Sequence, residues 1–72
     1  MNQTMDDLQA KIQRTLMNDS RTKDYGVEVL DNNGVIILRG TVPSHDARDT
    51  IEAVVREVDG VISVNNEMDV VA

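Results

Sequence analysis

The segment Asp31-Asn32-Asn33-Gly34 constrains the fold of this chain more than any other feature, because it places a strand reversal at one position. Asn-Gly readily adopts the two positive φ angles of a type I′ turn, whose twist matches that of the strands it joins. Residues 27–30 alternate with a period of two before it, and the apolar run Val35–Leu38 follows it. The sequence therefore predicts a β-hairpin closed by Asn33 and Gly34.

The two-residue turn also fixes which residues of the hairpin face one another. Counting outward from it gives the pairs Leu30–Ile37, Val29–Leu38 and Glu28–Arg39. Because side chains alternate along a strand, one face is predicted to be inward, with Val27, Val29, Ile36 and Leu38. The other face is predicted to point outward, with Leu30, Val35 and Ile37 beside the opposite charges of Glu28 and Arg39.

An amphipathic helix is predicted on each side of the hairpin. Apolar residues recur at steps of three and four up to about Asn18, behind Thr4 as a plausible N-cap: Met5, Leu8, Ile12 and Leu16. Ser44 suits the N-cap of the second helix, whose apolar stripe is Ala47, Ile51, Val54, Val55 and Val58. Gly60 suits the left-handed position after its last turn.

The C-terminal segment 61–71 completes the set of elements. It alternates loosely and predicts a third strand, bulged where Asn66 interrupts the parity of Ile62, Val64, Met68 and Val70. The order αββαβ favours an α+β fold, a two-layer α/β sandwich with a three-stranded mixed sheet and both helices on one face. The second helix is short and its exit is tight, so strands two and three should run parallel. The pattern leaves the central strand open, and it predicts a single domain over residues 1–72 with its core in 4–71.

Composition excludes several classes of function. The net charge is −6, the seven basic residues are scattered, and Tyr25 is the sole aromatic residue, so nucleic acid is not an expected partner. The chain has no cysteine, which rules out disulfides and cysteine zinc sites, and no cofactor or small-molecule substrate is expected. The first residues lack the features of a signal peptide, so a cytoplasmic location is expected for the chain as written and an envelope location for an excised domain.

The glycine spacing carries a family resemblance. Gly34-x-Ile36-x-Leu38-x-Gly40-x-Val42, followed by Val58-x-Gly60-Val61-x-x-Val64-x-Asn66, resembles a BON domain, a family named for osmotically inducible periplasmic and nodulation-related bacterial proteins. The likeness extends from Asp6 to Val70. It implies an α/β sandwich of the bacterial cell envelope, a link to stress responses, and attachment to phospholipid surfaces or to other proteins. It brings no catalytic residues.

Two chemical motifs favour structural interpretations. Ser44-His45-Asp46 has the residue types of a hydrolase triad, but adjacent residues in a helical turn splay apart, so a cap and solvated side chains are expected. The segment Asp31-Asn32-Asn33-Gly34 resembles the start of an EF-hand calcium loop. Counted from Asp31, however, the twelfth position is Val42, where that loop requires Glu. Neither enzyme activity nor a tight metal site is predicted. A weak cation site at Asn65–Asp69 remains a second alternative.

The predicted outward residues of the hairpin define the candidate partner-binding surface, namely Leu30, Val35, Ile37 and Arg39. Adjacent exposed aliphatic residues often mark interaction sites. We expect a non-enzymatic module that associates with another protein or another copy, through the open sheet face or a sheet edge. Membrane-surface attachment is the alternative, and cover by the termini or no function are the other interpretations of the patch. Gly34, Gly40 and Gly60 are predicted to be structural: a turn, a kink or close backbone approach, and a helix end.

Overall fold

The computed structural model describes residues 6–71. The predicted cap at Thr4 and Met5, the first residue of the predicted apolar face, lie outside the described residues. Its helices are α1 (Asp6–Asn18) and α2 (His45–Arg56). Its strands are β1 (Glu28–Asn32), β2 (Val35–Arg39), β3 (Thr41–Val42), β4 (Ser63–Asn66) and β5 (Asp69–Val70). The predicted α+β class and the order of helices and strands are confirmed.

The sheet has β2 at its centre, in the order β1-β2-β4. β1 pairs with β2 antiparallel, and β2 pairs with β4 parallel as predicted. The short hairpin holds β1 against one side of β2, while the connection through α2 brings β4 to the other side. The sequence left the central strand open, and the structure shows that it is β2, with a neighbour on each side.

The hairpin has the predicted turn and register. Asn33 and Gly34 have φ angles of 56° and 92°, as a type I′ turn requires. Leu30 lies opposite Ile37, and Asn32 opposite Val35. The Asp31 side chain reinforces the turn, because its Oδ1 accepts a hydrogen bond of 2.9 Å from the Gly34 amide.

The predicted bulge in the third strand is wrong. Ser63 lies opposite Val35 and Asp69 lies opposite Thr41, so the register is the same before and after the gap between β4 and β5. The Glu67 and Asp69 amides continue the ladder to the carbonyls of Leu38 and Gly40, at 2.8 and 2.9 Å. β4 and β5 thus behave as one strand, and β2 and β3 as its continuous partner.

The core lies between the two helices and the sheet. Its buried apolar residues are Ile12, Leu16, Val29, Ile36, Leu38, Val42, Ala47, Ile51, Val54, Val55, Val58 and Met68. Val27, also predicted to face inward, is half-buried and packs against this cluster. The apolar stripes of both helices therefore face the predicted inward side of the hairpin.

Gly40 lies where β2 gives way to β3, and its backbone needs a residue without a side chain. Its φ angle is +140°, and a Cβ there would stand 2.8 Å from the Gly26 carbonyl oxygen. The close approach lets the segment before β1 pass next to the kink in the central strand. Gly60, with a φ angle of +101°, packs near the Leu8 side chain.

Candidate docking surface on the sheet

The four residues Leu30, Val35, Ile37 and Arg39 lie on the side of the sheet opposite the helices, here called the open sheet face. Ile37 is at its centre, opposite Leu30 on β1 and Asn65 on β4. Leu30 and Ile37 are half-buried and Val35 is 37% exposed, whereas Leu38, the next residue along β2, is fully buried. Leu30, Val35 and Ile37 therefore form a small aliphatic patch on this side of the sheet.

One end of the open sheet face is charged. Arg39 Nε contacts Glu67 Oε1 at 3.2 Å, and Glu67 Oε2 accepts a hydrogen bond of 3.1 Å from Asn65 Nδ2. Glu28 occupies the position opposite Arg39 on β1. The sequence predicted Glu28 as a neighbour of Arg39. It did not predict the contact between Arg39 and Glu67, because these residues are 28 positions apart and meet only through the parallel pairing of the strands. Arg39 is thereby held across the end of the aliphatic patch.

Two side chains of α1 bond to the backbone at the outer edge of β1, one within the strand and one at the residue before it. Gln13 Nε2 donates to the Val27 carbonyl, and the Asp31 amide donates to Gln9 Oε1, both at 3.3 Å. In an antiparallel pair, alternate residues direct their backbone groups away from the partner strand, and Asp31 is one of these. Gln9 and Gln13 stand one helical turn apart, so α1 satisfies edge groups that could otherwise pair with another strand.

The outer edge of β4 is bonded in a similar way by α2. Arg48 Nη2 donates to the Asn66 carbonyl at 3.1 Å, and Arg48 Nε donates to Asn66 Oδ1 at 3.3 Å. The same Oδ1 accepts from the Met68 amide at 3.1 Å, and Asn66 Nδ2 donates to Glu52 Oε1 at 3.2 Å. The backbone groups of Asn66 and Met68 face the outer edge, because the Glu67 amide between them bonds inward to β2. Asn66 is therefore the polar residue in an otherwise apolar alternation because its side chain links this edge to α2.

The helix side chains at the sheet edges bear on the two docking modes that the sequence left open. A free edge would offer unpaired backbone groups to a partner strand. Here both edges of the three-stranded sheet hold side chains of the packed helices, and these would have to leave first. The geometry thus favours the open sheet face over a sheet edge.

The Ser44-His45-Asp46 motif forms the start of α2. Ser44 Oγ accepts a hydrogen bond of 3.1 Å from the Ala47 amide, the geometry of an N-cap. His45 and Asp46 are exposed. An open groove of about 750 Å³ lies between Ser44 and His45 on one side and β5 on the other. Because Ser44 is engaged as a cap, the motif serves the helix.

In the polar segment at the end of β4, the side-chain oxygens of Glu67 and Asn66 make internal contacts. Glu67 bonds to Arg39 and Asn65, and Asn66 bonds to α2. Within residues 6–71, no group of three His, Cys, Asp or Glu residues is arranged to hold a metal ion. The structure therefore adds no support to the cation alternative.

The clearest pKa shift in the described residues lies away from the open sheet face, in the connection after α1. Hydrogen bonds from the side chain and backbone of Arg21 lower the pKa of Asp19 to about 2. The guanidinium contacts the carboxylate at 2.7 Å. Asp19 is half-buried and Arg21 is exposed, so this pair orders a surface turn.

These features define a two-layer α+β module with a helix-covered face and an uncovered sheet face. The BON domain family model matches residues 4–72, and the chain belongs to that family. It is 36% identical over 64 residues to the outer membrane lipoprotein DolP of Haemophilus influenzae. The match covers 88% of this chain and 33% of that relative, so the chain spans about a third of the length of DolP. Neither the family description nor the relative's name denotes an enzyme. In the described part of the chain, neither helix is both long enough and apolar enough to cross a membrane.

Proposed function

We propose that this domain is a non-enzymatic association module that docks another protein surface on its open sheet face. The observation that carries the proposal is that the helices cover one face and bond to both edges of the sheet, while residues 6–71 leave its other face uncovered. Leu30, Val35 and Ile37 remain partly accessible on the other side, where a partner could bury them.

The size of the open sheet face indicates what kind of association it supports. Three strands at a spacing of about 4.8 Å and five residues at about 3.3 Å each cover far less than the ~800 Å² per partner of a standard interface. Docking through this face alone should therefore be weak. A weak contact becomes effective when the partner is tethered nearby, as in a multidomain chain or an assembled complex. DolP, which is about three times the length of the matched segment, is consistent with such a setting.

The test compares two adjacent residues of β2 that point to opposite sides of the sheet. Ile37→Lys should leave the domain folded, because the side chain is at the open sheet face. It should weaken self-association, or binding to a partner, because docking would desolvate an unpaired charge. Leu38→Lys should unfold the domain, since Leu38 is fully buried. Sedimentation equilibrium over a range of concentrations gives the association, and urea titration gives the stability.

The outcomes separate the interpretations. If Ile37→Lys unfolds the domain while Leu38→Lys is tolerated, the assignment of the two faces is wrong. If both variants fold and associate like the wild type, the open sheet face has no role in docking.

A second candidate is attachment to a phospholipid surface in the cell envelope. The observation that favours it is the likeness to DolP, whose name describes an outer membrane lipoprotein. The charges oppose a simple electrostatic mechanism, since the chain carries −6 and Arg21, Arg39 and Arg56 each contact a carboxylate. Anionic lipids favour clustered Lys and Arg, at ~1 kcal/mol each. We therefore place this function second.

A further inference from the structure

We propose that Asn33 is a deamidation site whose reaction the fold suppresses through Asp31. Asn33 is exposed at the tip of the hairpin and precedes Gly34, which has no side chain to hinder attack on the neighbouring amide. In the reaction, the Gly34 backbone nitrogen loses its proton and bonds to Asn33 Cγ, and the side-chain nitrogen leaves as ammonia. Water then opens the cyclic imide to aspartate or isoaspartate. The reaction needs no other reagent.

The structure restrains the nucleophile of this reaction. The Gly34 amide donates its hydrogen to Asp31 Oδ1 at 2.9 Å. Ring closure requires that nitrogen to turn toward the Asn33 side chain, which would break the hydrogen bond. It also requires the amide to become an anion, which a carboxylate next to it disfavours. Asp31 therefore opposes both the motion and the deprotonation.

The carbonyl side of Gly34 is restrained as well. Its oxygen accepts hydrogen bonds from the amides of Ile62 and Ser63, at 2.8 and 3.4 Å. The Ile62 side chain lies over the glycine, with Cδ1 2.6 Å from the position a Cβ would occupy. Gly34 is buried although it belongs to an exposed turn. Ile62 is itself 76% exposed, so this cover does not depend on the core.

The modification would act on the open sheet face through the register of the hairpin. Isoaspartate adds a methylene group to the backbone of a two-residue turn, whose φ angles and length set the pairing. Leu30 and Ile37 would no longer be held opposite each other. Either product also adds a negative charge beside Asp31. Protection of Asn33 thus preserves the surface that we propose for docking, although the chemistry can be measured independently of any binding.

The experiment follows deamidation of the full chain by intact mass and locates it by fragmentation. In the wild type, the reaction should be slower in buffer than in urea, where the turn is lost. Asp31→Ala should accelerate the reaction in buffer on the order of tenfold, the typical effect of losing a hydrogen bond to a charged group. Asp31→Asn keeps an acceptor oxygen, and its deamidation rate should lie between those of the wild type and Asp31→Ala. Ile62→Ala uncovers Gly34 without altering Asp31 and should also accelerate it.

Ser44→Ala is the matched control, because it removes the cap of α2 and leaves the turn bond in place. It should change the rate less than Asp31→Ala does. If it accelerates the reaction equally, global unfolding is the route and the role of Asp31 is excluded. If Asp31→Ala slows the reaction, the carboxylate acts as a base and the proposal is reversed. Equal wild-type rates in buffer and in urea would show that the fold gives no protection.

Discussion

At the scale of single residues, two isoleucines that both belong to apolar sequence patterns differ in their burial. Ile51 is fully buried on α2 and packs in the core between the helices and the sheet. Ile62 precedes β4 and is 76% exposed. Both belong to apolar patterns, but Ile62 lies over Gly34 at the end of the sheet. An apolar pattern therefore identifies a face, while the packing elements decide how far along that face the core extends.

This difference predicts the effects of two matched truncations. Ile51→Ala should reduce the free energy of unfolding by ~2–5 kcal/mol, because it removes buried methyl groups and leaves a cavity. In a domain of this size that loss could unfold most of the protein. Ile62→Ala should change it by much less. Urea denaturation monitored by circular dichroism measures both, and equal losses would contradict the orientation of α2.

At the scale of elements, both helices cover the same face of the sheet, and each also bonds to one of its edges. α1 does so through Gln9 and Gln13, and α2 through Arg48. Edge strands are sites of unwanted pairing between protein chains, and proteins protect them with side chains or packed elements. The polar residues of the helices thus limit the ways in which a second protein can approach the sheet.

Removal of Arg48 tests this protection. Arg48→Ala takes away the donors to the Asn66 carbonyl and Oδ1, and should cost about 1–3 kcal/mol of stability if these acceptors stay dry. It should also increase concentration-dependent association, because the edge of β4 becomes available. The control is Arg56→Ala on the same helix, whose guanidinium contacts Glu52 Oε2, while the bond from Asn66 goes to Glu52 Oε1 and stays in place. Sedimentation velocity distinguishes the variants, and an Arg48→Ala protein that associates no more than Arg56→Ala would contradict edge protection.

At the scale of the whole molecule, net charge governs approach to an anionic surface. With a charge of −6 and three of its arginines in contact with carboxylates, the domain should show no measurable binding to anionic vesicles at physiological salt. Co-sedimentation with vesicles containing phosphatidylglycerol measures this, with neutral phosphatidylcholine vesicles as the control. Binding to the anionic vesicles that weakens as salt rises would support the phospholipid function instead. It would also show that a local group of cations outweighs the net charge.

Features that depend on near neighbours in the chain could be predicted from the sequence. Asn33 and Gly34 adopt positive φ angles readily, and counting from them gives every pair of the hairpin. Ser44 caps α2 through an amide three residues away. The same local patterns predicted the α+β fold and the residues of the open sheet face, whose role in binding stays a prediction. These features follow from backbone preferences and side-chain periodicity, which act over a few residues.

Three features depend on contacts between distant parts of the chain: which strand is central, how the third strand continues and which side chains cover its edge. Asn66 suggested a bulge because its polarity broke an apolar pattern, whereas its side chain is satisfied by Arg48 and Glu52 on a distant helix. The contact of Arg39 with Glu67 likewise needs the parallel pairing of β2 and β4. A polar residue in a strand can face either water or a partner, and local sequence cannot distinguish them. The chain path that brings α2 beside β4 supplies the partner.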